Sequence, residues 1–380
     1  MPHSDSPRPE AAQPVHGGNI AWASALADCS PHLILDFSAS INPLGPPESA
    51  IATIQAHLGD LCHYPDPDYG SLRDALGRFH DIPPDWVLPG NGAAELLTWA
   101  ARDLAALDAV YLLAPAFGDY LRALKAFDAK VEKIPLDCDG MMACWREGAT
   151  EPSAPALHHT LTPHPLTSSR GWLLNNPHNP TGTLLSRESL LPLLEESPLV
   201  VVDEAFMDFL PPAEQAQSSL IDWVGQYPNL VIVRSLTKFY SLPGLRLGYA
   251  IAHPDRLHRW QQWRDPWSVN ALASAAAIAV LADTAFQQRT WDWLPPARQQ
   301  LFDRLAALPG LRPLPSAANY LLVQTDCSVT NLQTRLLQQD QILIRHCTSF
   351  PELGDRWFRV AVRTVEENRR LVAALERVME

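Results

Sequence analysis

Arg234-Ser-Leu-Thr-Lys-Phe-Tyr-Ser-Leu-Pro-Gly-Leu-Arg-Leu-Gly-Tyr249 sets one lysine, Lys238, among hydroxyls and glycines, with Arg246 eight residues beyond it. Most lysines lie on solvated faces with a hydrated head group. This one follows an apolar β-branched run, Leu230-Val-Ile-Val233. That run predicts a buried strand with Lys238 emerging at its carboxyl end, where open α/β sheets form their ligand crevice. Strand-like runs at Ala109–Leu113, Leu199–Val202, Leu230–Val233 and Gly248–Ala252 alternate with helical stretches, the pattern of βαβ units and an α/β fold.

A lysine in that place, beside hydroxyls and an arginine suited to a phosphate, is what a Schiff base with pyridoxal phosphate requires. Two further stretches complete the chemistry. Val200-Val-Val-Asp-Glu-Ala-Phe206 reads as a buried strand that delivers Asp203 at its end. A carboxylate there can keep a pyridine nitrogen protonated, which makes the ring an electron sink. Asn175-Asn-Pro-His-Asn-Pro-Thr-Gly182 follows the apolar Trp172-Leu-Leu174. Its prolines and glycine fix a turn, from which Asn179 can offer an amide to the cofactor's phenolic oxygen. Singly, each stretch would pass for a polar loop or a solvated strand end; in this order they point to one site.

On these residues the chain resembles the fold-type I pyridoxal phosphate enzymes related to histidinol-phosphate aminotransferase, over nearly its whole length. Gly90-Asn-Gly-Ala-Ala-Glu95, Pro115-Ala-Phe117, the asparagine-proline turn, Asp203, Ser235-Leu-Thr-Lys238 and Arg246 fall in that group's order. The resemblance implies a large domain with a mixed, mostly parallel seven-stranded sheet between helices, and a smaller α+β domain. It implies that Lys238 carries the cofactor, Asp203 pairs with its ring nitrogen, Phe117 stacks on the ring and Asn179 bonds its O3′. The cofactor phosphate would meet the backbone at Gly92 and Ala93, with Ser235, Thr237 and Arg246; amides opening a helix at Ala93 suit an anion. Tyr64 resembles the tyrosine that reaches the phosphate of a neighbouring subunit, which implies a homodimer with active sites at the interface. The group's tyrosine three residues after the aspartate is Phe206 here, so its hydroxyl contact is absent.

The substrate is narrowed by two arginines. Arg345 ends the strand-like Ile342-Leu-Ile344, and Arg359 lies in Trp357-Phe-Arg-Val-Ala-Val-Arg363. Arginine in an apolar strand is costly unless it meets an anion, and its planar fork suits carboxylate or phosphate. Within the group, His16-Gly-Gly-Asn-Ile20, Leu35–Gly45, Asp203–Phe209, Pro266–Ala271 and the Arg345/Arg359 spacing resemble the L-threonine-O-3-phosphate decarboxylase family of cobalamin biosynthesis. That likeness implies that Arg359 takes the α-carboxylate, Arg345 takes a phosphate, and His16 and Gly17 close over the phosphate. It implies release of CO2 from O-phospho-L-threonine to give (R)-1-amino-2-propanol phosphate. The alternative is transamination of histidinol phosphate or a similar phosphorylated amine. Asn179 and Ser40 also face the substrate in this reading. The family has asparagine where Ser40 stands, so threonine phosphate and serine phosphate both remain open.

Composition sets limits. The 380 residues are 47% hydrophobic, enough for one large domain and a smaller one, and the net charge of −13 disfavours nucleic acid and anionic membrane as partners. Cys29, Cys62, Cys138, Cys144, Cys327 and Cys347 form no close Cys-x-x-Cys pair, which favours reduced thiols in a cytoplasmic enzyme over a disulfide frame or metal site. No run resembles a signal peptide or membrane span; Ala271–Ala282 suits a buried helix. The expected organisation is a polar, disordered 1–15; a segment 16–48 completing the small domain and the substrate site; a large cofactor-binding domain at 49–265; and a small C-terminal domain at 266–380. Glu151–Arg170, with His158, His159 and His164, reads as a surface loop and not as a metal site, because no acidic or cysteine ligand joins the histidines. Helices are expected after Trp267 and near Pro295–Leu308, and strands at Tyr320–Val323 and Trp357–Val362.

Overall fold

The computed structural model describes residues 14–136 and 169–379. The expectations on residues 1–13, on the loop carrying His158, His159 and His164, and on Cys138 and Cys144 lie outside the described residues; at the ends of those stretches Pro14 and Val15 are held by His346 and Arg345, and Arg170 opens a strand. Cys29, Cys62, Cys327 and Cys347 are free thiols.

The chain begins with a helix at Ile20–Ala27 and a two-residue strand, β1 (Leu35–Asp36), whose partner comes late in the sequence. Seven strands then build one sheet: β2 (Val87–Asn91), β3 (Ala109–Ala114), β4 (Val131–Pro135), β5 (Arg170–Asn175), β6 (Val200–Asp203), β7 (Leu230–Ser235) and β8 (Leu247–Ala252). Their order is β2-β8-β7-β6-β5-β3-β4, and only β8 runs against its neighbours. The four expected strands are all present. β2 and β4 were not read as strands, because Val87-Leu-Pro-Gly-Asn91 carries turn residues and Val131-Glu-Lys-Ile-Pro135 is an edge strand with mixed burial.

The interior strands β3, β6, β7 and β8 are buried at every position, since helices cover both faces. This stacking decides where the chemistry falls. Asn175 pairs in register with Asp203, and Asp203 with Val233, so three central strands end side by side. Ser235 ends β7, and a four-residue helix, Leu236–Phe239, carries Lys238 just past that edge.

A second sheet lies late in the chain: β9 (Leu311–Pro313), β10 (Tyr320–Thr325), β12 (Arg345–His346) and β13 (Trp357–Ala361), with β11 (Ile342–Leu343) pairing in parallel with β1. The order β12-β13-β10-β9 is antiparallel throughout. Phe37 O accepts a hydrogen bond from Ala361 N at 2.9 Å, which ties the N-terminal segment to this sheet.

Three local expectations need correction. Ile342–Arg345 is not one strand; the chain changes partners between Leu343 and Arg345, where Ile344 O is taken by Gln333 Nε2 at 2.7 Å. The helix expected near Pro295–Leu308 spans Thr284–Ala306 instead, passing through Pro295 and Pro296. Its start is set by Asp283, whose side chain accepts from Phe286 N at 2.9 Å, and burial of Phe286, Leu294, Ala297, Leu301 and Leu305 along one face holds the helix together through the two prolines. The Ala271–Leu281 helix is fully buried on one face only, through Ala273, Ala276, Ala277, Val280 and Leu281. No described helix is long and apolar enough to cross a membrane.

Candidate active site

The carboxyl ends of β5, β6 and β7 open into a cavity of about 380 Å³, within the range that encloses a small ligand. His16, Gly17, Ser40, Ala93, Phe117 and Asn179 line it, as do Asp203, Ser235, Thr237, Lys238, Arg246, Arg345 and Arg359. Residues from the first tenth and the last tenth of the sequence therefore meet the central motifs at one place.

At the cavity floor Asp203 is held on both oxygens. Tyr120 Oη donates to Oδ2 at 2.7 Å, and Ala205 N donates to Oδ1 at 2.9 Å. Burial raises the Asp203 pKa, and the nearby Lys238 charge opposes that rise. Lys238 is the mirror case: burial lowers its pKa, Arg246 and Arg359 lower it further, and Asp203 resists. The shift favours the neutral amine, the form that bonds to an aldehyde. Lys238 Nζ sits over the Phe206 ring at 4.9 Å, so the side chain that replaces the usual tyrosine is an apolar face beneath the amine. Asn42 steadies the loop from behind: its N donates to Lys238 O at 3.0 Å and its Nδ2 to Phe239 O at 2.9 Å.

An anion cup stands beside the lysine. Gly92 precedes the helix Ala93–Leu104 with φ +76° and no side-chain cap, leaving its first amides open. A Cβ at Gly92 would lie 2.7 Å from Arg246 Nη2, so only glycine lets the arginine close the cup. Ser235 Oγ and Thr237 Oγ1, 2.7 Å apart, complete it. These groups can hold a phosphate ester, and Phe117, Asp203 and Lys238 can hold the ring and aldehyde of pyridoxal phosphate; the donor set fits that cofactor.

The opposite wall holds Arg345 and Arg359, directly opposed across β12 and β13. Among the described residues neither forms an ion pair with a carboxylate. Arg359 Nη1 donates to Asn179 Oδ1 at 2.5 Å and Nη2 to Ser38 O at 3.4 Å, while its Nε is buried without a partner. Since Asn179 gives its oxygen to Arg359, its NH2 is the group left for a ligand. Burial, and the charge of Arg359, push the Arg345 pKa down to about 10. Ser40 Oγ is buried without a hydrogen-bond partner on the same wall.

The segment Pro14–Gly18 crosses this wall. Arg345 Nη2 donates to Val15 O and to Ser349 Oγ, His346 Nε2 bonds Pro14 O at 3.1 Å, and Gly18 N donates to Ser38 Oγ at 2.8 Å. Gly17 presses on Ser38 O so closely that a Cβ would collide with it. His16 rests near Phe117, ring centroids 5.8 Å apart. Tyr64 is not in the cavity; it is 80% exposed and packs at 4.7 Å on Trp267. Sequence reading missed Tyr120, Ser38 and His346. Only Tyr120 had a usable signal, three residues beyond Phe117 on the helix Gly118–Lys125.

Residues 33–375 match the class I and II aminotransferase family model, and the chain belongs to that family. It is a pyridoxal phosphate enzyme. It is 38% identical to threonine-phosphate decarboxylase of Salmonella typhimurium, over 96% of this chain and 96% of that one. It is 34% identical to histidinol-phosphate aminotransferase 2 of Ralstonia nicotianae, over 90% and 88% of the two chains. Its fold is shared with histidinol-phosphate aminotransferase of Sinorhizobium meliloti, solved with pyridoxal-5′-phosphate, at a TM-score of 0.79 and 24% identity over 97% of this chain and 95% of that one.

Proposed function

We propose that this enzyme decarboxylates O-phospho-L-threonine to (R)-1-amino-2-propanol phosphate and CO2, supplying the aminopropanol linker of cobalamin. The observation that carries the reading is the opposed pair Arg345 and Arg359, in the same cavity as Lys238 and without carboxylate partners among the described residues. A phosphorylated α-amino acid brings two anions on one short chain, one for each guanidinium. Histidinol phosphate brings only one. The Salmonella relative's name supports the same substrate.

Bound pyridoxal phosphate supplies an electron sink to the α-carbon of the attached amino acid. Lys238 anchors the cofactor, and after CO2 leaves it delivers a proton to Cα. Asp203, oriented by Tyr120 and Ala205 N, keeps a proton on the ring nitrogen. Gly92, Ala93, Ser235, Thr237 and Arg246 would hold the cofactor phosphate, Phe117 would cover the ring and the Asn179 amide would meet its phenolic oxygen. Arg359 takes the substrate carboxylate. Arg345, whose Nε and Nη1 make no hydrogen bond among the described residues, takes the phosphate beneath His16 and Gly17. Ser40 Oγ faces the substrate side chain. With both anions held, the bond from Cα to the carboxylate is the one presented for cleavage.

The division into a large domain at 49–265 and a small one at 266–380, joined by 16–48, is supported by the confinement of each large sheet to one of these spans. Exposed Leu58, Leu61, Tyr64 and Trp267 support a homodimer in which Tyr64 reaches the partner's cofactor.

Purified, cofactor-loaded protein given O-phospho-L-threonine and no keto acid should release CO2 and aminopropanol phosphate, with O-phospho-L-serine in parallel reporting on Ser40. Glutamate formed from 2-oxoglutarate and histidinol phosphate, without CO2, would replace this reading with the aminotransferase. Lys238→Ala should retain cofactor but lose both turnover and the absorbance of the lysine-bound form.

A further inference from the structure

Arg359 poses a physical problem. A buried guanidinium needs something to hold it, yet a carboxylate would cancel the charge that a ligand must meet. Its two hydrogen bonds, to Asn179 Oδ1 and Ser38 O, are to neutral acceptors. An aromatic face adds to these: Arg359 Cζ lies 4.6 Å from the centroid of Tyr320.

The register explains how they meet. Arg359 on β13 faces Leu322 on β10, and Tyr320 lies two residues from Leu322 on the same side of that strand. Tyr320 is itself immobilised. It is fully buried, its hydroxyl donates to His178 O at 2.8 Å, and its ring meets Phe206 in a T-shaped contact at 5.0 Å. His178 immediately precedes Asn179 in the chain, so the tyrosine fixes both the turn that binds Arg359 and the guanidinium itself. Phe206 in turn lies beneath Lys238 Nζ at 4.9 Å. One edge-to-face aromatic pair therefore offers a π face to the Arg359 guanidinium and to the Lys238 amine.

We propose that Tyr320 is a positioning residue for carboxylate recognition, its ring holding the Arg359 guanidinium in plane while leaving the positive charge uncancelled. The hydroxyl is secondary; the π face carries the role. This rests on Arg359 being the carboxylate ligand.

Cofactor-loaded, full-length Tyr320→Phe and Tyr320→Leu are assayed with O-phospho-L-threonine as substrate. 1-Amino-2-propanol phosphate, which keeps the phosphate and lacks the carboxylate, serves as inhibitor. The phenylalanine variant should hold KM within about twofold, and the leucine variant should raise KM about tenfold, the scale of a desolvated cation–π contact. Inhibition by the carboxylate-free amine and the absorbance of the lysine-bound cofactor should not change in either. Equal weakening of substrate and inhibitor, or an unchanged KM in Tyr320→Leu, overturns the proposal. Should the leucine variant not fold, ring-fluorinated phenylalanines at position 320 preserve shape while weakening the π face. A KM that climbs with fluorine number supports the role, and a flat series overturns it. Arg359→Ala in parallel separates the two levels. If it leaves KM unchanged, the carboxylate assignment is wrong and this proposal falls with it. If it raises KM while Tyr320→Leu does not, only the tyrosine's role is lost.

Discussion

Arg234 and Arg359 are both buried arginines on strands, and the fold treats them in opposite ways. Arg234, 1% exposed, reaches Glu204 Oε2 at 2.9 Å through Nε, Asp208 Oδ1 at 2.5 Å through Nη1 and Ser219 Oγ at 3.1 Å through Nη2. Its two carboxylates raise its pKa against the cost of burial. Arg359 has no acid in ion-pair range among the described residues, and burial lowers its pKa. Neighbouring acids divide between the two settings: Asp203 lines the cavity that Arg359 also lines, and Glu204 binds Arg234. Similar burial thus serves two ends. A guanidinium satisfied by the protein's own acids is part of the framework, whereas one left with neutral acceptors keeps a charge that an external anion can meet.

The contrast can be broken most severely at Arg359. Arg359→Ala should lower kcat/KM by about 10²–10³-fold, as expected when a buried charge-assisted contact is removed. Its melting temperature should stay level or rise, because an unneutralised buried charge has been taken out. A large loss of stability together with retained turnover would erase the distinction.

The converse substitution lies at Glu204. Glu204→Gln should cost about 3 kcal/mol in urea unfolding, because it leaves Arg234 short of one partner in a dry site. Turnover per folded molecule should change little. If activity drops while stability holds, Glu204 belongs to the chemistry and the framework reading is wrong.

Arg345→Gln gives a smaller, more selective effect. KM for O-phospho-L-threonine should rise by about 10–50-fold, the loss of one charged contact to phosphate. KM for a carboxylate-bearing amino acid without phosphate should stay within a factor of about two. An equal rise for both would mean that the two arginines do not divide the anions between them.

The smallest effect is at His346, next to Arg345. Burial, and then the Arg345 charge, push its pKa down to about 4, so a third positive charge is refused on this wall. Because the folded value lies below the unfolded one, its contribution to stability is complete above about pH 6.5 and is lost as pH falls toward 4. In Arg345→Gln the His346 resonances should titrate at higher pH, and the stability lost on acidification below about pH 6.5 should be smaller. An unmoved titration would assign the shift to burial alone.

Much of the site was legible before any coordinates. Asn179, Asp203 and Lys238 each follow an apolar run that announces a strand, and central parallel strands end at one edge. Local pattern was therefore enough to predict a shared crevice. The glycine at 92 and the hydroxyls at 235 and 237 likewise carried their own chemistry. Less legible was anything set by pairing between distant strands. The run Ile342–Arg345 looked like one strand because Ile342-Leu-Ile344 is uniformly apolar, yet its halves answer to β1 and β13. The start of the Thr284–Ala306 helix was hidden by two prolines that the helix tolerates because its packed apolar face holds it in place.

The sequence by itself determined the fold class and the cofactor, since these depend on residue type and on the order of short motifs along the chain. Tertiary structure alone decided that Arg345 faces Arg359, that Tyr120 holds Asp203 and that Tyr320 lies under a guanidinium. It also decided that Arg234 found carboxylates where Arg359 found none. An arginine's role is set by the charges within a few ångströms of it, and those come from parts of the chain that only folding brings together.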